Sequence, residues 1–174
     1  SLPEILPVDL LKEQKRRQYR KKDYYFPDAG PLRRELYIKH IEFLDSTKDY
    51  RETCFMAANR AGKSETGTYA VATWLTGEYP HWWTGKRFDG PVNILVSGET
   101  GKLVRDSLQI KLMGHHGDRG SGMVPKDCIV ETRPKSGIPD AIDTVRVKHI
   151  SGKESILQFQ SYDQGREAFQ ATER

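Results

Sequence analysis

At 174 residues with 36% hydrophobic content, the chain has material for one globular domain with a core but not for two of comparable size. Charged residues make up 30%, mean hydropathy is −0.70, and no apolar run approaches the roughly 20 residues that span a bilayer, all of which argues against a membrane protein. Net charge is +4 and the isoelectric point about 9.0, so any preference for polyanions must come from how the charge is distributed.

In chain order, residues 1–8 lack the basic, apolar and small-residue pattern of a signal peptide. Residues 7–22 then read as a charged helix with few apolar anchors. Within it Lys12, Lys15, Arg16, Arg17, Arg20, Lys21 and Lys22 crowd together, with Glu13 and Asp23 the nearby acids. That density suits contact with DNA or RNA phosphates, and equally a solvated helix face. Pro27, Gly30 and Pro31 break the chain, which divides it into a basic helical arm and linker over 1–30 and a domain over 31–174. Leu36, Ile41, Phe43 and Leu44, with Tyr37 and His40 among them, predict a helix with one buried face running to about Asp45.

The short apolar run Cys54-Phe55-Met56-Ala57-Ala58 has the length of a buried strand, and helical composition resumes from Lys63 until Gly77. A loop rich in aromatics follows, from Tyr79 to Phe88, which could meet nucleic acid, a neighbouring subunit or its own core. Residues 92–97 predict a second buried strand and 101–113 a helix. The glycine-rich stretch 114–122 predicts a mobile loop; its His115-His116 pair has no carboxylate or cysteine at ligand spacing. Residues 145–150 and 156–162 predict strands joined by the turn Ser151-Gly152-Lys153, and 165–174 a closing helix or turn. Cys54 and Cys128 form no CxxC pair, so neither a disulfide framework nor structural zinc is expected, and a reducing cytoplasm is the expected location.

The chemistry is concentrated where the first predicted strand meets its helix. Asn59-Arg60-Ala61-Gly62-Lys63-Ser64 joins the two, and strand, loop, then Gly-Lys-Ser opening a helix is an arrangement that grips phosphates. Loop N–H groups form an anion nest and the helix N-terminus adds its positive dipole end. On this reading Ala57, Ala58, Asn59, Arg60, Ala61, Gly62, Lys63, Ser64 and Glu65 form the nucleotide cradle. Lys63 reaches the β- and γ-phosphates and the Ser64 hydroxyl ligates Mg²⁺, so ATP with Mg²⁺ is the implied ligand. The pattern departs from G-x-x-x-x-G-K-[ST] in its first position, Ala57. Arg60 is placed to offset charge on the γ-phosphate, or else to close the loop, and Tyr37 or His40 to meet the base. The fold class that follows is α/β, a P-loop NTPase type with a parallel-sheet core, flanking helices, a β-hairpin near the C-terminal end and an N-terminal helical arm.

Such an ATPase also needs a strand ending in paired acids. Residues 92–97 lead only to the lone Glu99, and 156–159 lead to Gln160-Ser161. The expectation is therefore a domain that stops before its catalytic acids and binds nucleotide with little turnover.

Several segments carry a family resemblance: Tyr25-Phe26-Pro27, Gly30-Pro31-Leu32-Arg33-Arg34-Glu35-Leu36-Tyr37 with Lys39-His40, and the loop Asn59 to Ser64 continued by Glu65-Thr66-Gly67. Others are Leu75-Thr76-Gly77-Glu78-Tyr79-Pro80-His81-Trp82-Trp83, Arg87-Phe88-Asp89 and Ser161-Tyr162-Asp163-Gln164-Gly165-Arg166-Glu167-Ala168-Phe169-Gln170. Over nearly its whole length the chain resembles the terminase large subunit of tailed bacteriophages and prophages. The resemblance implies an ATP-driven motor that packs double-stranded DNA into a procapsid in the host cytoplasm. It further implies a homo-oligomeric ring, a terminase small subunit and portal as partners, and a C-terminal nuclease domain. An arginine in the phosphate loop, here Arg60, agrees with the family, which also places an acidic pair just past Arg174. Two other readings stay open: another P-loop enzyme, helicase-like or a nucleotide kinase, and a non-catalytic DNA-binding or assembly module with a vestigial loop.

Overall fold

The computed structural model describes residues 7–58 and 62–164. Helix α1, Pro7–Tyr19, has proline in its first turn and Asp9 there too, with Arg16 and Arg17 in its last turn, each suited to the helix dipole. None of its residues is buried. The expected helix over 7–22 thus ends at Tyr19, and a 3₁₀ turn, Lys21–Tyr24, follows. The junction is tied down. Gln18 and Tyr19 both donate to Asp118 (2.7 and 2.9 Å), and Arg20 binds Asp23, Glu78 and Asp127 at 2.6–2.8 Å. Lys22 is 5% exposed, donates to the Glu78 carbonyl (2.7 Å) and lies 5.3 Å from the Tyr69 ring centroid. Burial pushes its pKa down. Glu78 and Asp23 oppose that shift.

After the 3₁₀ turn Arg34–Tyr37 comes α2, Ile38–Asp49, a few residues later at both ends than the apolar spacing predicts. Residues 53–58 correct an expectation. They join no strand, and Cys54 and Met56 are exposed, Met56 at 87%. An apolar run encodes a wish for burial and not a ladder partner. Here Phe55 meets that demand by stacking on Phe43 (5.1 Å, 16°) and edging His40 on α2 (5.1 Å).

Helix α3, Lys63–Thr76, is the central element, burying Tyr69, Ala70, Ala72 and Leu75. Its buried threonines are satisfied by backbone carbonyls one turn back, as in Thr73 to Tyr69 (2.8 Å) and Thr76 to Ala72 (2.8 Å). Gly77 ends it with φ +71° and an N–H to the Thr73 carbonyl (2.9 Å). The aromatic loop lies on the chain's own core. Trp83 is 3% exposed, Trp82 stacks on Tyr69 (6.1 Å, 13°), and the indoles of Trp74 and Trp83 both donate to the Lys86 carbonyl (2.8 and 3.0 Å).

Strand β1, Asn93–Gly98, leads to α4 over 101–113, capped by the Thr100 hydroxyl. Its middle, Val104–Gln109, winds as π-helix between α turns Gly101–Leu103 and Ile110–Met113. The glycine-rich stretch predicted to be mobile is instead pinned back on α4. The amides of Gly120, Met123 and Val124 bind the carbonyls of Met113, Lys111 and Leu112 (2.8–2.9 Å), acceptors that a helix end leaves unused. Three strands follow: β2, Ile129–Pro134; β3, Ile142–Lys148; and β4, Glu154–Ser161. The last two form the expected hairpin, its turn closed by the His149 amide on the Lys153 carbonyl (2.9 Å). The strand β2 was not foreseen.

Sheet order is β1-β4-β3-β2, with β1 and β4 parallel and the other pairs antiparallel. The fold is mixed α/β with flanking helices; the sheet is mixed where a parallel one was expected. Val145, Val147, Leu157 and Phe159 bury one sheet face with α3 and α4 in a single core. Among the described residues no helix is long and apolar enough to cross a membrane.

Candidate functional site

Gly62 turns the chain into α3 with φ +77°, a conformation that glycine adopts without steric cost. Among the described residues no side chain caps the helix, and the amides of its first turn have no partner within it and point outward with the positive end of the dipole. The Gly62 carbonyl accepts both the amide and the hydroxyl of Thr66 (3.0 Å each), which fixes the turn. Lys63 is half-buried and its Nζ donates to the Ala57 carbonyl (2.9 Å), tying the start of the loop to its end. Ala58 and Ser64 are exposed, and the Ser64 hydroxyl takes no hydrogen bond among the described residues. Asn59, Arg60 and Ala61 lie outside the described residues.

Beside this turn is a cleft of about 590 Å³ lined by Tyr25, Leu32, Tyr37, His40, Gly62 and Glu65, among others. The structure therefore brings Tyr37 and His40, named from sequence as candidates for the base, next to the Gly62 turn. The two rings meet edge to face at 5.5 Å. A Cβ added at Gly62 would lie 3.3 Å from His40 Nε2, so the absence of a side chain keeps this junction open.

Glu65 is held on both oxygens. Tyr25 OH donates to one (2.7 Å) and Lys111 of α4 to the other (2.7 Å), with Lys21 3.9 Å away. Burial works against its charge, but the bonds from Lys111 and Tyr25 and the two lysine charges outweigh that and hold its pKa below the ordinary carboxylate value. Burial and the Glu65 bond push the Tyr25 hydroxyl up. The carboxylate fastens the start of α3 to the arm and to α4. Because its folded pKa is depressed, its contribution to stability is full above the ordinary carboxylate range and is lost as pH falls through and below it. In Glu65→Gln that part of the acid dependence is expected to vanish. Urea midpoints at neutral and acid pH check this, and an unchanged acid slope refutes it.

Sequence reasoning missed Tyr25, Leu32 and Lys111. A signal existed for Tyr25 and Leu32, which lie in the segments Tyr25-Phe26-Pro27 and Gly30 to Tyr37 that carry the resemblance, and none for Lys111. The lone Glu99 beyond β1 also has a neighbour, since its carbonyl accepts the amide of Asp163 (3.3 Å) where the parallel pair ends. Among the described residues no group of three His, Cys, Asp or Glu side chains could hold a metal.

A family model described as terminase large subunit, T4-like-virus type, N-terminal, matches residues 54–173. The chain belongs to the terminase large subunit family. The terminase large subunit of Salmonella phage P22 is 38% identical over 154 residues, covering 77% of this chain and 31% of that protein. The chain thus spans about a third of that relative's length. No solved structure matches it. The terminase match begins at Cys54, so it takes in the Gly-Lys-Ser turn and the sheet, while Tyr25, Tyr37 and His40 precede it.

Proposed function

We propose that this chain is the nucleotide-binding part of a P-loop ATPase motor that drives double-stranded DNA into a procapsid. The observation that carries the reading is the Gly62-Lys63-Ser64 start of α3, uncapped among the described residues and opening beside an aromatic cleft. First-turn amides and the Lys63 ammonium bind the phosphates of ATP, while Tyr37 and His40 orient the base. Arg60 offsets negative charge at the γ-phosphate. The residues present suit a magnesium ion held mainly by phosphate and water, because among the described residues Ser64 offers one free hydroxyl oxygen and no carboxylate cage surrounds it. When bound, the ion neutralises charge on the β- and γ-oxygens. Hydrolysis, DNA translocation, the ring and the small-subunit and portal partners are proposed for the complete protein, as is a nuclease activity.

Calorimetric titration tests the binding step. ATP is expected to bind with Mg²⁺, to lose measurable affinity in Lys63→Ala, and to weaken about tenfold in Tyr37→Ala, the scale of one lost base–ring stack. Binding that is independent of Mg²⁺, or that Lys63→Ala leaves intact, sinks the reading.

A further inference from the structure

The two ends of α2 serve different surfaces. Its N-terminal end lines the aromatic cleft beside Gly62. Its C-terminal end, with the residues that follow, lines a second cleft of about 480 Å³, whose walls include Lys48, Tyr50, Arg51, Trp74, Lys86 and Phe88. A helix of this length separates the two by roughly 18 Å, at about 1.5 Å per residue.

Three features set this second cleft apart. Its cations are uncommitted: Lys48, Arg51 and Lys86 are exposed and form no ion pair among the described residues, whereas Lys39, on the same helix, binds Glu42 at 2.8 Å. One carboxylate, Asp49, lines the cleft against them, so positive charge prevails. Next, an aromatic face is left open. Tyr50 is 66% exposed and its ring meets no other ring among the described residues, and Phe88 is 40% exposed, with Lys86 Nζ 5.7 Å from its centroid. Finally, the wall is fixed before any ligand arrives. The Lys86 carbonyl holds both indoles, and its amide donates to the Thr47 hydroxyl at the end of α2 (3.0 Å).

Unpaired cations attract a phosphate backbone, and an open ring offers a stacking platform to any base whose face is free. Together they match single strands, because the bases of a duplex are already stacked on one another. We propose that this cleft binds single-stranded nucleic acid without sequence preference, with Lys48, Arg51 and Lys86 on phosphates and Tyr50 beneath a base. The proposal does not rest on the nucleotide reading.

Fluorescence anisotropy of a labelled oligothymidine, in EDTA and over a range of salt concentrations, tests it on the protein. The triple variant Lys48→Gln, Arg51→Gln, Lys86→Gln is expected to flatten the log–log salt slope by about two, at about 0.7 per phosphate contact. Tyr50→Leu is expected to weaken binding about tenfold without changing the slope, and Tyr50→Phe to retain affinity. All these side chains are exposed, so unchanged thermal unfolding is expected in each variant. The proposal is overturned if the unaltered protein fails to bind the oligomer at low salt. It is overturned equally if the triple variant keeps its slope while Lys12→Gln, Lys15→Gln, Arg16→Gln on α1 removes it. A duplex of equal length binding as tightly, with Tyr50→Leu affecting neither ligand, also rules it out.

Discussion

Lys63→Ala is expected to lower ATP turnover of the complete protein by about two to three orders of magnitude, the effect of removing one preorganised charge-stabilising donor. In the structure the ammonium donates to the Ala57 carbonyl at 2.9 Å, a bond to a neutral acceptor. A phosphate oxygen is a charged acceptor, and bonds to charged partners are about twice as strong. Exchange of the carbonyl for phosphate therefore runs toward nucleotide. The alanine variant loses the phosphate contact and also unties the two ends of the loop, so both affinity and rate fall. Lys63→Arg keeps the charge but replaces a compact point donor with a planar fork, and full rescue is not expected. Arg60→Ala should look different. If its guanidinium acts on the γ-phosphate in the transition state, kcat falls about a thousandfold with a much smaller loss of affinity. Steady-state kinetics beside equilibrium binding separates the two patterns, and equal losses in Arg60→Ala would assign Arg60 to loop structure.

Gly77→Val is expected to destabilise the fold by about 2–5 kcal/mol, summing a left-handed backbone cost of about 1–2 and overpacking of about 1–3. Gly77 has φ +71°, and a Cβ there would lie 2.3 Å from His149 Nε2 and 2.8 Å from Cε1. His149 cannot easily swing aside. It is 4% exposed, its Nδ1 accepts the Ser151 amide (3.0 Å) and lies 2.8 Å from the Ser151 hydroxyl, and the neighbouring Ile150 amide binds the Thr76 carbonyl (2.9 Å). For a chain of this size the expected fall in Tm is about 5–15 °C. Gly152 provides the comparison, with φ +86° but nothing within 4 Å of an added Cβ. Gly152→Val should therefore show only the backbone cost. Thermal unfolding followed by circular dichroism decides, and equal shifts for the two variants would mean that His149 does not press on Gly77.

The helix α3 was legible because glycine marks both its ends, at Gly62 and Gly77. The hairpin was legible because Val145 and Val147 alternate with Arg146 and Lys148 before a turn containing Gly152. Glu131, Thr132, Arg133 and Pro134 hid β2, since an edge strand has little need of apolar residues and tolerates proline. Cys54 to Ala58 misled in the opposite direction, because its apolar demand is met largely by Phe55 against one helix. At the site, Gly62, Lys63 and Ser64 announce themselves through spacing along the chain. Tyr37 and His40 were named from sequence, but their approach to Gly62 is a tertiary fact. Lys111 shows why such partners stay hidden. Nothing local to it records that its ammonium closes on Glu65, which is brought there by the packing of α4 on α3.

The π-helical middle of α4 bears on how the length of this segment can change. A π turn inside an α-helix accommodates one extra residue without breaking the rod. Val104–Gln109 lies upstream of Lys111, so it sets the rotational phase at which Lys111 emerges. Removing one residue there would let the helix relax to α geometry and leave everything beyond it near its present phase, because the π turn absorbs about the 100° that one α-helical residue adds. Lys111 would then still face Glu65, and the stretch 114–122 would keep its carbonyl acceptors. A relative one residue shorter at this point can therefore keep the Lys111–Glu65 contact, whereas one residue lost from the α turn Ile110–Met113 ahead of Lys111 would turn that side chain by about 100°.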